Sequence, residues 1–155
     1  PVGVISISDF LPLLGSMDIV RRETVADVMS HAMLVCRDDT PITGVARGLA
    51  DSRYRAVLVV NPMGQPLGLV SGLDLLSCFE TEGCDVTRTA AQVMHSIITI
   101  RPTASLREAA DKMIQHHHHR LVVVDSDRQG AMPMGMISSV DIVSEMARPG
   151  SVWQV

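Results

Sequence analysis

The chain has 155 residues, of which 46% are hydrophobic, 19% charged and only 3% aromatic. That balance suits one ordinary folded domain or two small ones, and it argues against disorder. A formal net charge of -4 disfavours a general binder of phosphate backbones, and so few aromatics leave few platforms for stacked bases.

Residues 1–10 read PVGVISISDF, a short apolar strand that runs through Ser-Ile-Ser-Asp into an apolar helix. The first twenty residues have no basic leader and contain Asp9, so they do not read as a signal peptide. The opening pattern returns at 66–75 as PLGLVSGLDL and at 133–142 as PMGMISSVDI. Pro1, Pro66 and Pro133 are spaced 65 and 67 residues apart, which marks an internal repeat. Residues 1–15 then read as the last strand and helix of an upstream copy, either part of a longer array or a copy eroded to a tail. Val4, Phe10 and Leu11 are too apolar for a free tail, so residues 9–14 are expected to be helical and packed.

Two fuller copies follow, at 24–80 and 89–147. TVADVMSHAMLVCRDDTPI at 24–42 resembles TAAQVMHSIITIRPTASL at 89–106, with Val28-Met29 matching Val93-Met94. Each begins with a short helical turn and continues into a strand, near 33–36 or 97–100. Asp39-Thr40-Pro41 and Thr103-Ala104-Ser105 supply capping side chains for the next helix. In the second copy Leu106, Ala109, Ala110 and Met113 recur at helical spacing. In the first, Ile42, Val45, Ala46 and Leu49 do so, but Gly44 and Gly48 leave either a frayed helix or a close packing contact.

Buried-type strands come next, Ala56–Val60 and Leu121–Val124, each followed by a turn and the motif-bearing strand. The unit is strand, helix, strand, strand, helix. Alone it has little core, so the two copies are expected to share one, sheet to sheet. No apolar run approaches a membrane span. Cys36, Cys78 and Cys84 lack metal-like spacing and read as free thiols of a reducing cytoplasm, with a Cys78–Cys84 bridge as the alternative.

Ser71-x-x-Asp74 and Ser138-x-x-Asp141 stand before apolar helices. Serine followed three residues later by an acid is a capping box, and that alone accounts for both pairs. The same geometry suits a ligand: an aspartate in the first helical turn can accept from both hydroxyls of a ribose, and a preceding glycine lets backbone approach closely. The run QHHHHR at 115–120 offers little to a metal, because consecutive helical side chains fan out by about 100° each. His116 and His119 share a face only if the helix continues that far. No phosphate loop, nucleophile–base pair or metal-ligand spacing appears, so the chain does not read as an enzyme.

These residues resemble a pair of CBS domains, the tandem arrangement called a Bateman module. The resemblance rests on the Val-Met openings, the basic residue before each apolar strand, and Gly68-Leu-Val-Ser71-Gly-Leu-Asp74 with Gly135-Met-Ile-Ser138-Ser-Val-Asp141. It implies an α/β (α+β) fold of two β-α-β-β-α repeats with pseudo-two-fold symmetry. It also implies regulatory binding of an adenosine nucleotide (AMP, ADP or ATP), with no cofactor required. Ser71, Asp74, Ser138 and Asp141 are the ribose positions it implies, and Thr99 lies near the base. His119 and Arg120 fall where the family meets the phosphate. The first copy has only Arg55 there, with Arg53 nearby. Family members pair through helices, which points here to a homodimer through Leu75–Phe79 and Ile142–Met146. The alternatives are a structural or dimerisation module with empty clefts and, further off, a metal or redox sensor. The expected location is cytoplasmic, with no nucleic acid partner and no membrane insertion.

Overall fold

Short capping motifs set where the chain turns, and the structure, a computed structural model, describes residues 2–16, 23–80, 85–126 and 130–148. In chain order the elements after a 3-10 helix at Ile7–Ser16 are α1 (Val25–Val28), β1 (Leu34–Arg37), α2 (Ile42–Asp51), β2 (Ala56–Val60), β3 (Pro66–Ser71) and α3 (Gly72–Glu80). Then come α4 (Ala90–Val93), β4 (Thr99–Ile100), α5 (Leu106–His116), β5 (Arg120–Val124), β6 (Pro133–Ser138) and α6 (Ser139–Met146). The fold is α+β, with one strand–helix–strand–strand–helix series in each copy.

The two compact units do not coincide with the two sequence copies. A middle unit comprises Ala32–Ile97 with Arg128–Pro133, and a terminal unit comprises Pro1–His31, Ile98–Asp127 and Met134–Val155. The opening turn α1 of the first copy therefore belongs to the unit built on the second copy's sheet. The reverse holds for α4. Backbone bonds fasten each one. The Val25 and Ala26 N–H groups donate to the carbonyls of Ala104 and Pro102, at 2.8 and 2.9 Å. In the middle unit Ala90 and Ala91 donate likewise to Thr40 and Asp38, at 2.8 and 3.0 Å.

In the middle unit the sheet order is β1-β2-β3, with β1 parallel to β2 and β2 antiparallel to β3. All five residues of β2 are buried, as a central strand covered on both faces requires. Val57 and Val59 point into a core with Ile42, Val45, Val70 and Leu75. Helix α2 runs unbroken through Gly44 and Gly48, so the frayed alternative does not apply. A β-carbon at Gly48 would meet Leu34 Cδ2 at an ordinary 3.6 Å. Thr40 does not cap α2; its hydroxyl accepts from the Arg37 N–H at 3.1 Å and closes the preceding turn instead. Ser105 does cap α5, accepting from the Glu108 N–H at 3.1 Å.

In the terminal unit the order is β4-β5-β6, with β4 parallel to β5. Its core gathers Leu121 and Val123 of β5 with Ile137, Ile142 and the α5 residues Ala109 and Met113. Each unit thus has its own cluster of buried apolar residues, and Leu58, Leu69, Val122 and Val124 are buried outside both clusters. The exchanged turns contribute to these clusters, Val25 and Met29 to the terminal one and Ala90 to the middle one.

The 3-10 helix packs on α5 and α6, and Leu11 enters the terminal core at 3% exposure. Asp9 accepts from the Ser6 N–H at 2.6 Å, the same local bond that opens α3 and α6. The strand expected before it does not form: Val2, Val4 and Ile5 are exposed and outside any ladder.

Helix α5 stops at His116 because His117 turns left-handed, with φ 54° and ψ 35°. That conformation is costly for a residue with a β-carbon and free for glycine. His117→Gly is expected to stabilise the protein by about 0.5–1 kcal/mol, read as a raised midpoint in urea.

Candidate ligand site

Both Ser-x-x-Asp pairs form the capping box that their spacing requires, with almost identical geometry. In the middle unit the Ser71 N–H and hydroxyl both donate to Asp74 Oδ2 at 2.6 Å, and the Asp74 N–H approaches Ser71 Oγ at 3.4 Å. In the terminal unit the Ser138 N–H and hydroxyl donate to Asp141 Oδ2 at 2.8 and 2.6 Å, and the Asp141 N–H returns to Ser138 Oγ at 3.4 Å. Both boxes are half-buried at the mouths of α3 and α6, so the carboxylates remain reachable from solvent. Among the described residues, no hydrogen bond falls on Oδ1 of either aspartate.

Basic residues stand beside each box. The Ser139 N–H donates to the His119 carbonyl at 3.0 Å, which sets His119 and Arg120 next to the start of α6. In the middle unit Ala56 pairs with Ser71, so Arg55 adjoins the Ser71 box, with Arg53 two residues earlier in the same exposed loop. Each unit thus carries its own box and its own basic residues. Thr99 lies on β4 opposite Val122, with β5 between it and the strand that leads to Ser138. It makes no hydrogen bond to Asp141; its carbonyl accepts from Lys112 Nζ at 3.3 Å.

Gly68 and Gly135 do serve close approach, but what approaches is the chain itself. A β-carbon at Gly135 would lie 2.5 Å from the Ser30 carbonyl oxygen, and one at Gly68 would lie 2.8 Å from that of His95. Antiparallel bridges cause this: Ser30 and Met136 exchange two backbone bonds at 2.9 Å, and Leu69 and His95 exchange two at 3.1 and 2.9 Å. Residues 30 and 95, just past the exchanged turns, therefore sit at the same place in the two units. His95 was not singled out from the sequence. Its Nδ1 lies 3.0 Å from Asp74 Oδ2.

The histidine run brings no ligand set together. The helix ends at His116, so His119 is not on its face, and no group of three or more His, Cys, Asp or Glu converges among the described residues. The cysteines differ from expectation. Cys78 is disulfide-bonded, Cys36 is free, and Cys84 lies outside the described residues. Burial, above all, pushes the Cys36 thiol pKa up, which keeps it poorly nucleophilic. No helix among the described residues is long and apolar enough to cross a membrane.

Residues 25–80 and 90–148 each match the CBS domain family. The chain belongs to the CBS domain family. It is 30% identical to an uncharacterized protein of Methanocaldococcus jannaschii, MJ1404, over 147 residues, which is 94% of this chain and 33% of that protein. The chain thus spans a third of this relative's length. The CBS domain protein PAE2072 of Pyrobaculum aerophilum, solved in complex with AMP, superposes with a TM-score of 0.69 at 24% identity, covering 80% of this chain and 98% of that one. The CBS domain pair of protein MJ0100, solved with 5'-methylthioadenosine and S-adenosyl-L-methionine, gives 0.70 at 19% identity, covering 81% and 97%.

Proposed function

We propose that this CBS pair is a regulatory module, not an enzyme, that binds an adenosine-containing ligand such as AMP, ADP or ATP. The observation that carries the reading is the Asp141 box. A carboxylate with one oxygen free of hydrogen bonds among the described residues stands in the first turn of α6, beside His119 and Arg120. A carboxylate suits the two hydroxyls of a ribose, and a guanidinium with a neighbouring imidazole suits a phosphate. AMP bound to PAE2072 and the adenosine compounds bound to MJ0100 support the ligand class. In this reading Ser138 and Asp141 hold the ribose, His119 and Arg120 meet the phosphate, and Thr99 lies toward the base. Ser71 and Asp74 with Arg53 and Arg55 make a second, similar set. A shift in the CBS pair on binding would be read by whatever is coupled to it, with the cytoplasmic nucleotide pool as the signal.

The reading is tested by thermal unfolding with and without AMP and ATP. A ligand that binds only the folded state at a hundred times its Kd adds about 2.7 kcal/mol, a shift of several degrees. No shift with any adenosine compound at millimolar concentration overturns it.

A second reading, a homodimerisation module, is favoured by exposed apolar residues on α3 and α6. Of Leu73, Leu76 and Val140, only Leu76 lies within the two segments first expected, Leu75–Phe79 and Ile142–Met146. Leu75, Ile142 and Met146 are buried in the cores of their own units, whereas Leu73, Leu76 and Val140 are 75%, 59% and 46% exposed. A dimer would bury these three. Leu73→Glu with Leu76→Glu is then expected to shift the mass measured by light scattering from dimer to monomer without lowering the melting temperature.

A further inference from the structure

The two capping boxes match bond for bond, and one contact separates them. His95 Nδ1 stands 3.0 Å from Asp74 Oδ2, while Asp141 has no such neighbour among the described residues. We propose that His95 is a specificity-determining residue that holds the Asp74 site closed, so that the CBS pair takes its first adenosine ligand at Asp141. This rests on the ligand reading given above.

The chemistry follows from counting acceptors. An ionised carboxylate only accepts, and it has about four lone-pair positions. Ser138 uses two of those on Asp141 and leaves two, enough for the vicinal diol of a ribose. Ser71 and His95 place three contacts on Asp74 Oδ2, against two on Asp141 Oδ2, and Oδ1 is free of hydrogen bonds on both aspartates among the described residues. Because the carboxylate cannot donate, His95 Nδ1 must carry the proton in this contact. A ribose that spans both carboxylate oxygens, one hydroxyl on each, therefore competes with the imidazole at Oδ2 of Asp74 and meets none at Oδ2 of Asp141.

Position makes the contact persistent. The backbone of His95 is pinned to Leu69 by two hydrogen bonds, as Ser30 is pinned to Met136 in the other unit. The repeat thus offers histidine and serine at equivalent places. Serine at 30 makes no hydrogen bond to Asp141 among those of the described residues. The pair is also accessible, with side chains 38% and 24% exposed for His95 and Asp74. A ligand can reach it, so the imidazole acts as a competitor at a site mouth and not as part of a core.

The test is calorimetric titration of the full chain with AMP, and separately with ATP. The proteins are wild type, Asp141→Ala, His95→Ser, and the double variant His95→Ser with Asp141→Ala. His95→Ala in place of His95→Ser guards against a local effect of the new hydroxyl, and a melting curve checks that each variant is folded. Wild type is expected to bind one ligand tightly, and Asp141→Ala to lose that binding. His95→Ser is expected to add a second site, and the double variant to bind about tenfold or more tightly than Asp141→Ala alone. If wild type binds through Asp141 and the double variant binds no better than Asp141→Ala, the role of His95 is wrong while the ligand reading stands. If no protein in the set binds either nucleotide, both fall.

Discussion

Asp141→Ala is expected to weaken binding of an adenosine nucleotide by roughly tenfold to more than a hundredfold. Removing a charged hydrogen-bond partner costs about 1.5–3 kcal/mol, and each 1.4 kcal/mol is a factor of ten in Kd. The side chain also caps α6, where it accepts from the Ser138 N–H and hydroxyl at 2.8 and 2.6 Å. The substitution should therefore lower stability as well, by about 1 kcal/mol. The two effects separate by comparison with Asp27→Ala, which removes a cap of the same kind in the same unit but stands at α1. Calorimetry should show nucleotide affinity lost in the first variant and kept in the second. Equal affinities in the two would reduce the Ser138–Asp141 pair to a helix cap.

Gly135→Ala is expected to destabilise the CBS pair by about 1–3 kcal/mol, the usual cost of forcing extra atoms into close-packed surroundings. A β-carbon there would lie 2.5 Å from the Ser30 carbonyl oxygen. That oxygen is backbone and already accepts from the Met136 N–H, so it cannot move aside without loosening both bonds of the bridge. For a chain of this size the melting temperature should fall by roughly 2–12 °C. Gly72→Ala is the control, since a β-carbon at Gly72 meets nothing within 4 Å. Equal melting temperatures for the two variants would show that the bridge yields more easily than its geometry implies.

Much of this architecture was readable from local pattern. The strands Ala56–Val60 and Leu121–Val124 stand out as short apolar runs, and the Ser-x-x-Asp boxes follow from side chains three residues apart. What could not be read depends on distant partners. The bond from the Val25 N–H to the Ala104 carbonyl spans 79 residues and leaves no periodicity in either segment. His95 reaches Asp74 across 21 residues, from just past a four-residue helix. The one mark it left was a mismatch between the copies, histidine in VMHS against serine in VMSH. Residues 2–6 fail for the opposite reason. They have strand composition, but a strand is made by its neighbour, and among the described residues none pairs with them.

During synthesis, Thr24–Met29 leaves the ribosome long before anything that can hold it. Its anchors, Pro102 and Ala104, and Met136, which holds the adjoining Ser30, emerge only after the whole β1-β2-β3 sheet. The middle unit can close its backbone bonds once Ala90 and His95 have followed, apart from the Arg128–Pro133 segment; the terminal unit must wait for α6. The terminal unit is therefore expected to close after the middle one, with Val25 and Met29 unprotected in the interval. The same threading bears on dissection. Deleting either copy strips the other of its clasp, so a single copy expressed alone is expected to be less stable than the pair.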